Sequence, residues 1–405
     1  VSQVSREMVI TVLVALVVVE LLFYYLNKSS QGFREKLSKL KLTVEPGVLM
    51  IDLGKRVKPR SSGKHVRYSL LALSVACLAI SVYLFYRTIL SYLVDLFSSL
   101  SSGGPAPQSP LVPVIPGITL GLDILVPLLT SIGMGLVVHE LFHMLTAVIN
   151  GIPIESWGVG IALIFPVAYV RVSEAEFAHS KLSAKASVLC AGIMANLALG
   201  LISLALMGVI AQPLSTYLEG PHMLILGVDP NMPAGRVGLK QPAILEEING
   251  TAIDSIDKLR GVLNTTLYGT AVFKFKVRAL VEVGFCGYYR ASDEIDEYLV
   301  LRSSEDMEKY GYRVGVIVAP NTYVYSSETP VHLLYSSCQF QLLYIVNLSL
   351  AVVNSAPLIV TDGGKLVSEL LRKIRAQKLD RAIQWTTLVL TVLIVSIGLI
   401  QSLIK

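Results

Sequence analysis

His139-Glu140-Leu141-Phe142-His143 closes an apolar run, residues 124–138, and run and motif together are long enough to cross a bilayer. On an α-helix, positions i and i+4 lie roughly 40° apart around the axis. His139 and His143 therefore face the same way and can share one metal ion. Glu140 lies about 100° round from His139, within reach of a water at that ion, as a general base requires. Ionisable groups are costly in lipid, each about 2.5–3.5 kcal/mol on insertion scales. Zn2+ is the best candidate to offset that cost, because it turns polar side chains into ligands. The alternative is a pair of hydrogen-bonded helix histidines with no metal, which leaves the burial of Glu140 unexplained.

A catalytic zinc site ordinarily has three protein ligands and a water. The best third ligand lies far downstream, in Asn354-Ser-Ala-Pro357-Leu-Ile-Val-Thr-Asp362-Gly363-Gly364. Asp362 is the only acid between Val331 and Lys365. Two following glycines allow a tight turn that aims its carboxylate at a metal. An ordinary turn outside the membrane is the competing reading of Asp362-Gly363.

The elements that must position these residues are mostly membrane segments. The chain has 405 residues, 53% hydrophobic and 16% charged, with mean hydropathy +0.63. That is an integral membrane composition. About six transmembrane helices are expected, near residues 8–26, 68–86, 124–149, 188–210, 333–360 and 383–404. The first reads as a retained anchor, since it lacks a convincing small-residue cleavage site. Glu20, near its end, is expected to snorkel to the interface.

Residues 27–67 hold eleven Lys/Arg against three Asp/Glu, residues 365–381 six against two, and residues 99–117 no charge. The positive-inside rule places both basic stretches in the cytoplasm. The third and fifth segments then run inward, and the histidines and Asp362 arrive at similar depth on the cytoplasmic side. The basic balance, pI about 8.8, reads as topology and contact with anionic lipid in the bilayer, not nucleic acid. Of four cysteines, Cys77 and Cys190 lie in membrane segments. Cys286 and Cys338 are expected outside, where they could pair.

The expected organisation is an N-terminal membrane pair with a basic cytoplasmic loop (1–98) and an exposed outer linker (99–117). A first core half follows (118–212), then an extracytoplasmic α+β domain (213–331), a second core half (332–382) and a last membrane helix (383–405). Residues 151–172 are too broken by Gly and Pro to span as a helix. They read as a membrane-embedded β-hairpin-like loop near the metal site, whose edge could pair with an unfolded segment; a packing loop is the alternative. In the inserted domain, Asn249-Gly250 marks a hairpin turn, residues 256–263 a helix, and residues 224–228, 272–278 and 313–318 strands.

This pattern resembles the site-2 protease family of intramembrane zinc metalloproteases. The resemblance runs from about residue 111 to 364. It rests on the HExxH, on Gly192-Ile-Met-Ala-Asn196, on a PDZ-like insert (residues 228–239 and Ile248-Asn249-Gly250), and on Asn354-x-x-Pro357 leading to Asp362-Gly363. Pro116-Gly117-Ile118 and the leading membrane pair look most like the branch of the animal sterol-regulatory protease, without its cysteine-rich insertion or serine run. Phe142 stands where glycine is common, and Thr361 where leucine often precedes the aspartate.

The resemblance implies cleavage of transmembrane protein substrates within the bilayer. It implies zinc on His139, His143 and Asp362, with Glu140 activating water. It gives Asn196 and Asn354 to substrate backbone or the oxyanion, interhelical hydrogen bonding being the alternative for each. The PDZ-like domain would filter substrates or bind a peptide or trimmed substrate tail. Three rival readings stay open: a non-proteolytic membrane adaptor binding partners through the outer domain, an ion transporter, and a different membrane metallopeptidase.

Overall fold

The computed structural model describes residues 6–45, 47–60, 62–116, 118–264, 270–284 and 286–404. Gly117 of the Pro116-Gly117-Ile118 element, and the ends of the outermost expected segments (1–5 and 405), lie outside them. The chain forms two compact units. One comprises Val1–Leu204 with Gln341–Lys405, the other Ala205–Phe340.

In the first unit, the opening apolar run forms α1 (Arg6–Ser29), followed by the short α2 (Gln31–Lys39). The basic stretch is not only a loop. It supplies β1 (Leu42–Glu45) and β2 (Val48–Val57) before α3 (Lys64–Ser102) begins. The helix α3 rises about 58 Å, far beyond the roughly 30 Å of a hydrocarbon core. It takes the first four residues of the expected linker. The rest of that linker is not all exposed: Ser109 is buried, donating to the carbonyl of Ile394. Next come α4 (Leu125–Ile149), β3 (Ile154–Ala162), β4 (Phe165–Val172), α5 (Glu174–His179) and α6 (Leu182–Ser215).

The hairpin β3–β4 forms over the expected residues, and β1 and β2 extend it into an antiparallel sheet of order β1-β2-β3-β4. Glycine in this sheet marks close approach. A Cβ at Gly158 would meet the carbonyl of Ile51 at 2.1 Å and the ring of Tyr169 at 2.9 Å. Across that bare backbone the Tyr169 hydroxyl reaches the carboxylate of Asp52. Register thus ties β4 to β2 over the top of β3.

The second unit runs through β5 (Leu218–Val228), α7 (Pro233–Arg236), β6 (Ala243–Ile248), β7 (Thr251–Ala252), α8 (Ile256–Asn264), β8 (Ala271–Val283), β9 (Tyr288–Arg302), α9 (Ser304–Tyr310) and β10 (Val316–Tyr325). Its strands are ordered β5-β10-β9-β8-β6-β7, and a further β5–β6 pairing makes the sheet barrel-like. Alternating residues Phe273, Phe275 and Val277 of β8 turn inward onto Met223, Ile225 and Val300. The Asn249-Gly250 turn has φ of +50° and +78°, the left-handed pair a two-residue hairpin needs. The long β9 was not expected from the sequence: its centre, Ser292-Asp-Glu-Ile-Asp-Glu297, is polar on both faces. Cys286 and Cys338 are free thiols.

The chain then enters α10 (Val331–Ser355), α11 (Asp362–Lys373) and α12 (Gln377–Ile404). Among the described residues, α3, α4, α6, α10 and α12 are long and apolar enough to cross a membrane. Phe85, Ile89 and Tyr92 of α3 pack on Ala356, Leu358 and Ile394, so the loop before Asp362 rests on a hydrophobic core.

Candidate metal centre

One face of α4 buries His139 and His143, 4% and 8% exposed, as the four-residue spacing requires. Asp362 reaches them from the first residue of α11. Its placement departs from the expected turn. Thr361 caps the helix instead, its hydroxyl accepting from the N–H of Gly364 at 3.2 Å and donating to the carbonyl of Ala356. Gly363 and Gly364 serve close packing rather than a left-handed bend. A Cβ on Gly363 would lie 2.0 Å from the carbonyl oxygen of Ser355, and one on Gly364 1.6 Å from that of Leu358.

Three donor atoms converge. Nε2 of His139 and Nε2 of His143 are 2.9 Å apart, and each is 3.1 Å from Oδ2 of Asp362. Tetrahedral zinc, with ligands about 2.0–2.1 Å away, sets its ligands about 3.3 Å from one another. The triangle fits that edge length, and two imidazoles with a carboxylate are a donor set zinc accepts.

Behind the rings stands α6. The carbonyl oxygen of Val188 lies 2.6 Å from Nδ1 of His143. The Asn196 amide lies 3.1 Å from Nδ1 of His139. Gly192 lets α6 come this near, since a Cβ there would sit 2.4 Å from the His139 ring.

Glu140 lines a cleft of about 460 Å³ with His143, Asp362, Tyr169, Arg171 and Lys365. Val170 lines the same cleft. That residue belongs to β4, the outer strand of its sheet, and residues 169–172 of this strand border the cleft.

Glu140 and the three donors therefore share one site. Asn196 joins them from behind His139, away from the cleft lining. Asn354 does not join them: it is absent from that lining, and its side chain makes no hydrogen bond among the described residues. Two contributors were missed in the sequence. The carbonyl of Val188 carries no signal, being backbone. Lys185, buried against Glu369 at 2.9 Å, carried one: a lone cation opening an apolar helix with an acid on the facing element.

Long apolar helices around a buried His–His–Asp cluster, with a carboxylate alongside, describe an integral membrane protein of the metallopeptidase class. Residues 127–398 match peptidase family M50, more than half of the chain. The chain belongs to that family, the site-2 protease family, and is a membrane metallopeptidase.

Proposed function

We propose that this chain is a zinc endopeptidase that hydrolyses peptide bonds within transmembrane segments of other membrane proteins. The convergence of His139, His143 and Asp362 beside Glu140, inside a bundle of membrane-length helices, carries this reading. His139, His143 and Asp362 would hold the zinc ion, which would supply Lewis-acid polarisation of the scissile carbonyl and lower the pKa of a water to about 7. Glu140 takes the proton of the attacking water and returns it to the departing amine.

The outer strand β4 receives substrate as an added strand, which requires the substrate helix to unwind first. Substrates with Gly, Pro, Asn or Ser near the cut are therefore favoured over poly-Leu helices. The hairpin works within the membrane, the active site faces the cytoplasm, and the second unit lies outside. The short α7 after β5, the Asn-Gly hairpin and the flanking α8 support a PDZ-like role for that unit, which binds a substrate tail. Asn354 is placed by the resemblance near substrate backbone; nothing in its hydrogen bonding adds to that role.

The test is a reconstituted cleavage assay on a transmembrane substrate, paired with metal analysis. Parent protein should hold one zinc and cut, while Glu140→Gln should keep the zinc and lose at least about a hundredfold in rate. A protein without zinc, with a partner-binding activity indifferent to Glu140→Gln, would establish the adaptor instead.

A further inference from the structure

Asn196 is fully buried, and its Oδ1 has no hydrogen-bond partner among the described residues. Its Nδ2 faces Nδ1 of His139 at 3.1 Å. An amide nitrogen can only donate, so in this setting Nδ1 accepts and the ring proton sits on Nε2. An Nε2 that carries a proton cannot ligate. His143 has the opposite arrangement: the Val188 carbonyl can only accept, so Nδ1 carries the proton and Nε2 presents its lone pair. Each ring that shares the ion must present an unprotonated nitrogen to it.

We infer that Asn196 is a positioning residue for His139, with its amide oxygen accepting the Nδ1–H of that ring when Nε2 serves as ligand. This rests on the metal-centre reading above. A half-turn about the Cβ–Cγ bond exchanges amide oxygen for nitrogen without displacing either site. Buried ligand imidazoles ordinarily donate their second N–H to such an outer acceptor, which fixes tautomer and ring plane. Here α6 supplies both acceptors, and they lie two helical turns apart at residues 188 and 196. Gly192 stands midway, where the helix touches the His139 ring. The role differs from oxyanion binding: Asn196 acts through His139 and touches no substrate.

The experiment is zinc affinity of the full-length protein in nanodiscs, by competition with a chromogenic chelator at fixed pH. Asn196→Leu keeps the approximate shape and removes the acceptor; it should weaken zinc binding 10–100-fold. Asn196→Asp restores an acceptor and should bind at least as tightly as the parent. Equal affinity for parent and Asn196→Leu overturns the inference, even if cleavage falls. Should Asn196→Leu not fold, Asn196→Ala replaces it. If neither folds, Asn196→Asp decides alone, and zinc binding weaker than the parent's overturns the inference. A parent that binds no zinc instead overturns the metal-centre reading.

Discussion

Nζ of Lys185 lies 2.9 Å from Oε2 of Glu369, with both side chains largely buried, and the pair ties α11 to α6. Leu366 packs on Leu189 and Cys190 beside it. Asp362 stands seven residues before Glu369, two turns along the same helix. Lys185→Met leaves Glu369 with Arg372 alone, so the loss should be about 1–3 kcal/mol rather than that of a stranded charge. Thermal unfolding in detergent should show it, with weaker zinc retention. Lys185→Met with Glu369→Leu should recover part of both, because the pair is then removed whole.

Gly364→Ala should be far more damaging. The new methyl group meets the Leu358 carbonyl, which is backbone and cannot swing aside. The loop over Ala356 and Leu358 must move, and Asp362 with it. Zinc stoichiometry near zero, with poor recovery of folded protein, is the expected result. Normal zinc content would show that the loop is soft.

Thr361→Ala removes a cap and three hydroxyl contacts within the loop. About 1–2 kcal/mol of stability should be lost, while Thr361→Ser should stay close to the parent. Comparing the melting midpoints of the two variants separates the hydroxyl from the methyl group.

The second unit should carry its own acid sensitivity. Asp306 is buried, receives two bonds from the Arg236 guanidinium, and closes a capping box with Ser303. The Arg236 bonds hold its carboxyl well below the usual carboxylate range, despite burial. A depressed folded-state pKa adds stability above the unfolded value, near 4, and that stability drains away as pH falls below it. Pulse proteolysis of the full chain should find Asp306→Asn less stable than the parent at pH 7. The gap should narrow below about pH 4.

How much of this was legible beforehand varied with the kind of interaction. His139 and His143 are four residues apart on one helix with Glu140 next to the first, and local periodicity alone sets their relative directions. Asp362 was found because an acid in an apolar stretch is conspicuous. Its capping by Thr361 was not, since that depends on which carbonyls the loop brings back. The strands β1 and β2 were hidden by their charges: Asp52, Lys55 and Arg56 read as a soluble loop until pairing with β3 gives the edge a partner. The long α3 ran past its expected end because its last turns are serine-rich and signal a linker. Asn196 was visible as a motif, but whether it faced substrate or a histidine depended on how closely α6 approaches, which Gly192 decides in space and not in order.

Asp362 opens a twelve-residue helix, so the positive pole of that helix's peptide dipoles lies beside its carboxylate. The carboxylate thus has electrostatic company of its own making, before any cation arrives.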